Sequence, residues 1–358
     1  MNYRTVLLNA LESHATDVTK VIDININDPI SNIVILLGGT NTAHTMTGHY
    51  MSCLPKIEVV DGSDVLFSLD GFETEALDWY HNSGKFRSNW NWAFNTGTWD
   101  RAIALNFGRH LWDPVYALDP KMFNNLQLRI SLDINGGGNA NTPLTFKIFA
   151  NVFDDKVPAL KGFLTTKEIK QWTMASTQHE YTDLPTDHPY RALYVRAFKL
   201  GTESNVCLNN FKLSEDQDKK VPFDLGGIEI CRTLLHDYPR IEEFFYIAAS
   251  IAKKYVYCAA TQAVTAYATH WQGANITDQE ITIYNGDGGR LDLYSSVNAN
   301  IVLNVQGNIP HCIFEIPFGQ KNDPDDAYVV SGINSLRADI TGGTDSVGHL
   351  IAQQYRSY

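Results

Sequence analysis

The chain has 358 residues, 44% of them apolar, and a formal charge of −12 at neutral pH. That length suits two domains of ordinary size or one large one, with enough apolar mass for real cores. No basic run is longer than Lys219-Lys220 or Lys253-Lys254, which excludes nucleic-acid backbone binding as the main task, since that needs clustered Lys and Arg.

Residues 1–20 read as an amphipathic helix, with Leu7, Leu11, His14 and Val18 on one face opposite Asn9, Glu12, Ser13 and Thr16. The chain then turns β-like over Val18–Ile26, Ile30–Leu37, Lys56–Val60 and Val65–Leu69, with Asp61-Gly62 as a turn between the last two. Residues 71–125 are less regular and rich in Trp (79, 90, 92, 99 and 112), with one further strand expected over Ile103–Phe107. Leu126 to Phe153 is the most regular stretch: two alternating runs around a Gly-rich turn at Gly136–Pro143, read as a β-hairpin. About seven or eight strands in about 140 residues, all of antiparallel pattern, fit a sandwich or jelly roll.

A link at Asp154–Gly162 leads to a second half of the same style. Strands are expected over Glu168–Ser176, Tyr190–Leu200, Asn205–Leu213 and Gly227–Arg232, with a charged loop at 214–220. Ile241–Lys254 reads as a helix, preceded by Pro239 and with Glu242-Glu243 near its start. Ile281–Tyr284 and Leu291–Tyr294 flank NGDGG at 285–289 as a hairpin, followed by Ile301–Val305 and Cys312–Ile316. Leu336-Arg337 through Gly342-Gly343 echoes Leu128-Arg129 through Gly136-Gly137, and His349–Tyr358 then closes the chain. Two such units about two hundred residues apart imply two related β domains.

Motifs for chemistry are scarce. There is no phosphate loop, dinucleotide fingerprint, GxSxG elbow or HExxH pair, and the Gly clusters at 136–138, 286–289 and 342–343 sit between strands as turns. His44 and His49 are five apart in an expected loop, a poor zinc spacing. Asp323, Asp325 and Asp326 lack the spacing of a calcium loop and read as a solvated turn. Asp113 and Asp119 each precede Pro and read as turn formers, with a glycosidase-like acid pair as the alternative. The Trp-rich segment 79–112 suits a core or subunit contact, and sugar stacking is its alternative use. The cysteines (53, 207, 231, 258 and 312) are odd in number and without metal spacing, so reduced, buried thiols in a chain made in cytoplasm are expected. No signal peptide is read at the N-terminus. The longest apolar run, Phe244–Tyr257, is cut by Lys253-Lys254, so no membrane-spanning helix is expected.

Four stretches carry a resemblance. LPKIEVVDGSDVLFSL at 54–69 is similar to an early strand pair of the corticovirus (bacteriophage) coat protein, and YTDLPTDHPYRALYVRAFKL at 181–200 resembles a later strand of it. SLRADITGGTDSVGHLIAQQYRSY at 335–358 resembles its closing unit. NFGRHLWDPVYALDPKMFNNLQLRI at 106–130 looks like a segment seen before a late first-domain strand. The family is the double jelly-roll major capsid proteins of tailless icosahedral DNA viruses, which includes adenovirus hexon and the tectivirus coat proteins.

The resemblance implies an all-β chain of two jelly-roll sandwiches in tandem, with short helical insertions and an N-terminal helix. The expected division is a helical arm at 1–17, a first jelly roll at 18–158 and a second, with insertions, at 159–358. It implies a structural, non-enzymatic protein of the virion, built in the host cytoplasm, with no catalytic, cofactor or metal residues. Its expected partners are two further copies in a pseudo-hexameric homotrimer, neighbouring capsomers, minor capsid or penton proteins and an internal viral membrane, with no direct contact to nucleic acid. The arm is expected at the base of the first domain, against a neighbouring subunit or inner layer, or else on its own domain. The alternative function is a β-sandwich glycan-binding protein or glycosidase using the aromatic segment 79–112.

Overall fold

Alternating apolar residues close this chain into two eight-stranded sandwiches. The computed structural model describes residues 2–138, 143–155, 157–272, 281–284, 286–321 and 323–358. In the first sandwich β1 (Tyr3–His14), β9 (Leu144–Phe153), β3 (Ile30–Thr40) and β7 (Thr98–Asn106) form one sheet in that order. The facing sheet runs β2 (Val18–Asp23), β8 (Leu126–Leu132), β4 (Lys56–Asp61), β5 (Asp64–Leu69). In the second sandwich one sheet is β10 (Gly162–Met174), β23 (Ser346–Ser357), β12 (Tyr190–Phe198), β21 (Ile313–Pro317), and the other is β11 (His179–Leu184), β22 (Leu336–Gly342), β13 (Leu208–Glu215), β14 (Lys220–Gly226). Numbered within its own sandwich, each half has the same two sheets: first-eighth-third-sixth and second-seventh-fourth-fifth. That order, repeated, is the double jelly roll.

The sandwiches are joined edge to edge. β5 pairs in parallel with β10 (Phe67 with Thr166, Ser68 with Lys167), so an inner sheet of one continues into a sheet of the other as eight strands. In both halves the connection between the fifth and sixth strands is expanded, and each expansion opens with a helix: α1 (Gly71–His81) after β5, α3 (Gly227–Asp237) after β14. The short α2 (Ser204–Cys207) precedes β13. The first expansion adds β6 (Trp90–Trp92). The second adds β15 (Ile241–Ala249), β16 (Lys254–Tyr257), β17 (Ala260–Gln272), β18 (Ile281–Ile283), β19 (Arg290–Ser295) and β20 (Ala299–Pro310). They meet in one sheet, β17-β20-β15-β6, backed by the three strands β16-β19-β18.

Several expectations are corrected. Residues 3–14 are a strand of the first sandwich, not a helical arm, pairing with β9 from Tyr3–Phe153 to His14–Leu144. Two bulges, between Leu7 and Asn9 and between Asn9 and Glu12, break the period of two and leave Leu7 and Leu11 outward at a spacing that imitates a helix. Val6 and Leu8 pack against the core instead. Leu126–Phe153 is not a hairpin, because β8 pairs with β2 and β4 while β9 pairs with β1 and β3. The closing unit behaves alike: β22 and β23 lie in different sheets. Each unit is a corner that carries the chain from one sheet to the facing one. Residues 139–142 of the first turn, Asn285 and Asn322 lie outside the described residues.

Ile241–Ala249 is a strand, with Ile241, Glu243, Phe245, Ile247 and Ala249 inward. Its alternation was hidden because one inward position is Glu. Gly227–Asp237 is a helix whose Ile230, Cys231 and Leu234 are buried along one stripe, as helical spacing requires. The echo of Leu128 and Leu336 holds in its essential point: both are buried in a core, at 0% and 1% exposure, on the seventh strand of their sandwich. Burial of a Leu of this kind is worth about 1.5–3 kcal/mol relative to exposure.

Candidate assembly surfaces and the junction between the sandwiches

Helix α1 is the element around which the two halves meet. Its start is fixed by a capping box: Asp70 accepts from the Glu73 N–H at 2.7 Å, and Glu73 accepts from the Asp70 N–H at 2.9 Å. From Glu73 to Tyr80 it is buried on every side, including three acids, Glu73, Glu75 and Asp78. Buried carboxylates persist only where they are paired, and each of these has its own partners.

Glu75 accepts from Arg101 of β7 at 2.6 and 3.0 Å and from Nε2 of His311 at 2.7 Å. Arg101, wholly buried, also donates to Glu243 of β15 at 2.9 Å and to Asn91 of β6 at 3.0 Å, and Glu243 accepts from the Ala259 N–H at 2.6 Å. Burial pushes the Glu75 carboxyl upward, but Arg101 and His311 outweigh it and hold it down at about 2. His49 lies edge-on to His311, ring centroids 4.6 Å apart. Burial, then the neighbouring His311, drives His49 well below its ordinary value. This cluster joins α1, β7, β15 and the residue that directly follows β20.

Glu73 forms a second cluster. Nδ1 of His349 (β23) lies 2.9 Å from Glu73 and 2.9 Å from Glu168 (β10). Burial and then Asp70 raise Glu73 to about 7. Burial works against the His349 cation, yet the hydrogen bonds to Glu168 and Glu73 raise it to about 9. Asp78 is held by Arg87 at 2.7 and 3.1 Å and by Asn106 at 2.9 Å.

Both histidine–carboxylate groups have donor sets that a cation could use. In the first, however, the Arg101 guanidinium already supplies the positive charge, and Nδ1 of His49 is spent accepting the Met51 N–H at 3.2 Å. In the second, a single ring nitrogen faces both carboxylates at hydrogen-bond distance. The chemistry of both is ion pairing that locks two sandwiches together.

The residues singled out from sequence do not converge. Asp113 is fully engaged by Arg109, with side-chain contacts of 2.7 and 2.7 Å, and by the N–H groups of Arg109 and Val115. Burial opposes its charge, but these donors lower it overall. Asp119 caps the short turn Pro120–Met122 by accepting from the Lys121 N–H. Asp323 caps the turn Pro324–Asp326, and Asp326 accepts from the Gln320 N–H at 2.6 Å. His44 accepts from the Asn95 N–H at 3.3 Å, apart from the buried His49 cluster. Trp79 and Trp99 are core residues, Trp112 stacks on Tyr3 with centroids 4.3 Å apart, and Trp90 and Trp92 sit on the insertion sheet. All five cysteines are buried, and none of them is in a disulfide. No helix is long and apolar enough to cross a membrane among the described residues.

The sequence reading missed α1 and its acids, although Asp70-x-x-Glu73 ahead of Ala76-Leu77 is a capping-box signature. Nothing in the sequence singles out Arg101, Glu243 or His349 as their partners.

No family model matches the chain, and no curated protein matches it. Solved structures do. The major capsid protein of Sulfolobus turreted icosahedral virus matches with a TM-score of 0.62 at 11% identity, over 100% of this chain and 98% of that one. The major capsid protein of bacteriophage PM2 matches at 0.58 and 10%, over 99% and 98%. VP54 of PBCV-1 matches at 0.59 and 12%, over 99% and 93%. The fold of this chain, end to end, is the double jelly roll of viral major capsid proteins.

Proposed function

We propose that this chain is the major shell subunit of an icosahedral virus and resides in the virion capsid. The observation that carries the reading is the repeated strand order, first-eighth-third-sixth and second-seventh-fourth-fifth, occupying the whole chain in a fold matched over its full length by capsid proteins. Two near-equivalent blocks per subunit give six per trimer, so a threefold capsomer meets its neighbours around a pseudo-hexagonal rim with similar contacts. The junction clusters support it: blocks that must tile as one unit are held by buried pairs rather than by a flexible link. Its partners on this reading are two copies of itself, adjacent capsomers, minor or penton proteins and an internal membrane. The engagement of Asp113 by Arg109 and Val115, and the turn-capping role of Asp119, support a non-enzymatic role.

The test is the solution mass of the purified chain followed by electron microscopy of particles. A stable species of three chain masses that builds hexagonally packed shells is the expected result. A monomer that never assembles, alone or with the other virion proteins, overturns it.

A further inference from the structure

A partly enclosed cavity of about 260 Å³ lies beside the junction, among residues 47–52, the start of α1, the end of β12 and the turn at Gly288-Gly289. An apolar cavity of about 150 Å³ already holds benzene, so this one has room for a larger organic body. Its apolar walls are Phe72 of α1, Phe198 and Leu200 at and just beyond the end of β12, and Tyr257 of β16. The turn closes tightly on this wall: a Cβ on Gly288, whose φ is +65°, would stand 2.7 Å from the carbonyl oxygen of Lys199.

One cation lines the cavity with donors still vacant. Arg196 precedes Phe198 by two residues on β12, which puts both on the same face of the strand. Arg196 is only 6% exposed, and its guanidinium carbon lies 4.7 Å from the ring centre of Phe72 and 5.4 Å from that of Phe198. Its Nη1 donates to Oδ2 of Asp70 at 3.1 Å, while its Nε is buried without a partner. Asp70 cannot turn to fill the gap, because its Oδ1 caps α1 on the Glu73 N–H. The Nε–Nη2 edge is left without an acceptor among the described residues. Other polar groups of the wall are engaged within the protein. Ser52 donates to the carbonyls of His49 and Gly136, Thr47 to that of Gly138, and Thr261 to that of Ile309.

These facts select the occupant. A purely apolar body fits the walls but leaves the guanidinium edge dry and unpaired, which is unfavourable. A polyhydroxyl compound meets hydroxyls that already have partners. A phosphate dianion meets one cation whose charge Asp70 balances, in a chain of net charge −12. A carboxylate satisfies the edge, because its two oxygens match two N–H groups of a guanidinium at the expense of one charge. The N-terminal end of α1, where Phe72 sits, favours that charge.

We propose that this cavity binds a small monocarboxylic acid with an apolar body, the carboxylate on the Nε–Nη2 edge of Arg196 and the body against Phe72, Phe198 and Leu200. The test is calorimetric titration of the purified chain with octanoate and with phenylbutanoate, which separate an acyl chain from an aromatic acid, and with octanamide as the neutral counterpart. Saturable binding of at least one acid is expected, with a melting temperature that rises with acid concentration. The amide should bind about tenfold more weakly or worse. Arg196→Gln should weaken the acid about tenfold and leave the amide unchanged. Leu200, 45% exposed at the mouth, supplies a second variant that leaves the packing of Arg196 alone: Leu200→Asp should weaken the acid several-fold and spare the amide. Three results overturn the proposal: neither acid binds saturably; octanamide binds as tightly as octanoate; or acid affinity is unchanged in a folded Arg196→Gln or, where that variant does not fold, in Leu200→Asp. The titration needs neither trimer nor particle, so its failure and failure of the capsid reading are told apart.

Discussion

Helix α1 holds two buried clusters of similar make-up and different chemistry. Glu75 meets a guanidinium that never deprotonates, whereas Glu73 meets an imidazole that can. Both join distant parts of the chain, but the cation that meets the helix acid is permanent in the first and titratable in the second. Permanent and titratable cations are therefore not interchangeable ways of joining two domains, even two residues apart on the same helix.

The harshest way to break the comparison is Arg101→Met. It strands Glu75 and Glu243 without a counter-charge, and loss of one partner of a buried pair costs about 3–5 kcal/mol. Denaturant unfolding should register that loss, and a change below about 1 kcal/mol would show that the pair is not load-sharing across the junction. The same variant should abolish the pH resistance of its cluster by raising Glu75 from its depressed value.

A milder effect comes from alkali. The folded-state value of His349, about 9, lies above its ordinary 6.5. Its contribution is therefore complete below about 6.5 and is lost as pH rises through about 9. The expected loss is on the order of 2 kcal/mol, reduced by Glu73, which is itself reluctant to ionise. Melting temperature measured from pH 6 to 10 should fall, and His349→Gln should flatten that slope. A wild-type slope that survives the substitution would assign it to other groups.

His49 sharpens the contrast from the acid side. Burial lowers its value, so the unfolded chain takes up the proton more readily and stability falls as pH drops below about 6.5. His49→Phe should reduce that acid slope and leave the alkaline one untouched, the reverse of His349→Gln. Smallest of all is Leu11→Ser on the bulged strand β1. Leu11 is 67% exposed, so the stability of the isolated subunit should change by less than about 0.5 kcal/mol. A larger drop would mean that Leu11 is covered in solution by another chain.

What could be read in advance follows from the range of the interactions involved. The alternation in Leu126–Leu132 and Leu144–Phe153, and the echo at Leu336, are local and were legible as strands with their inward faces. Their pairing was not, because two facing sheets and one folded hairpin produce the same alternation. The length of the turn carried the missing information: hairpin loops are short, usually two to five residues, and the segment between Leu132 and Leu144 is longer. At β1 the bulges converted a strand pattern into a helical one, and at β15 a buried Glu243 concealed an inward face. The clusters themselves join residues as distant as Glu75 and His311, and no local pattern encodes such a meeting.

The edge order of the first sandwich has a consequence for how the protein is made. β1 pairs with β9, so residues 3–14 stay without their sheet partner during synthesis until residue 144 and beyond has emerged. Even then α1 is unfinished, because Glu243, His311 and His349 come later still. A nascent chain stopped between the sandwiches therefore holds a helix with acids lacking their final partners, and it gains little from folding early. Pairings this distant in sequence slow folding. They also tie the two halves into one cooperative event, so that a truncated chain is poorly folded.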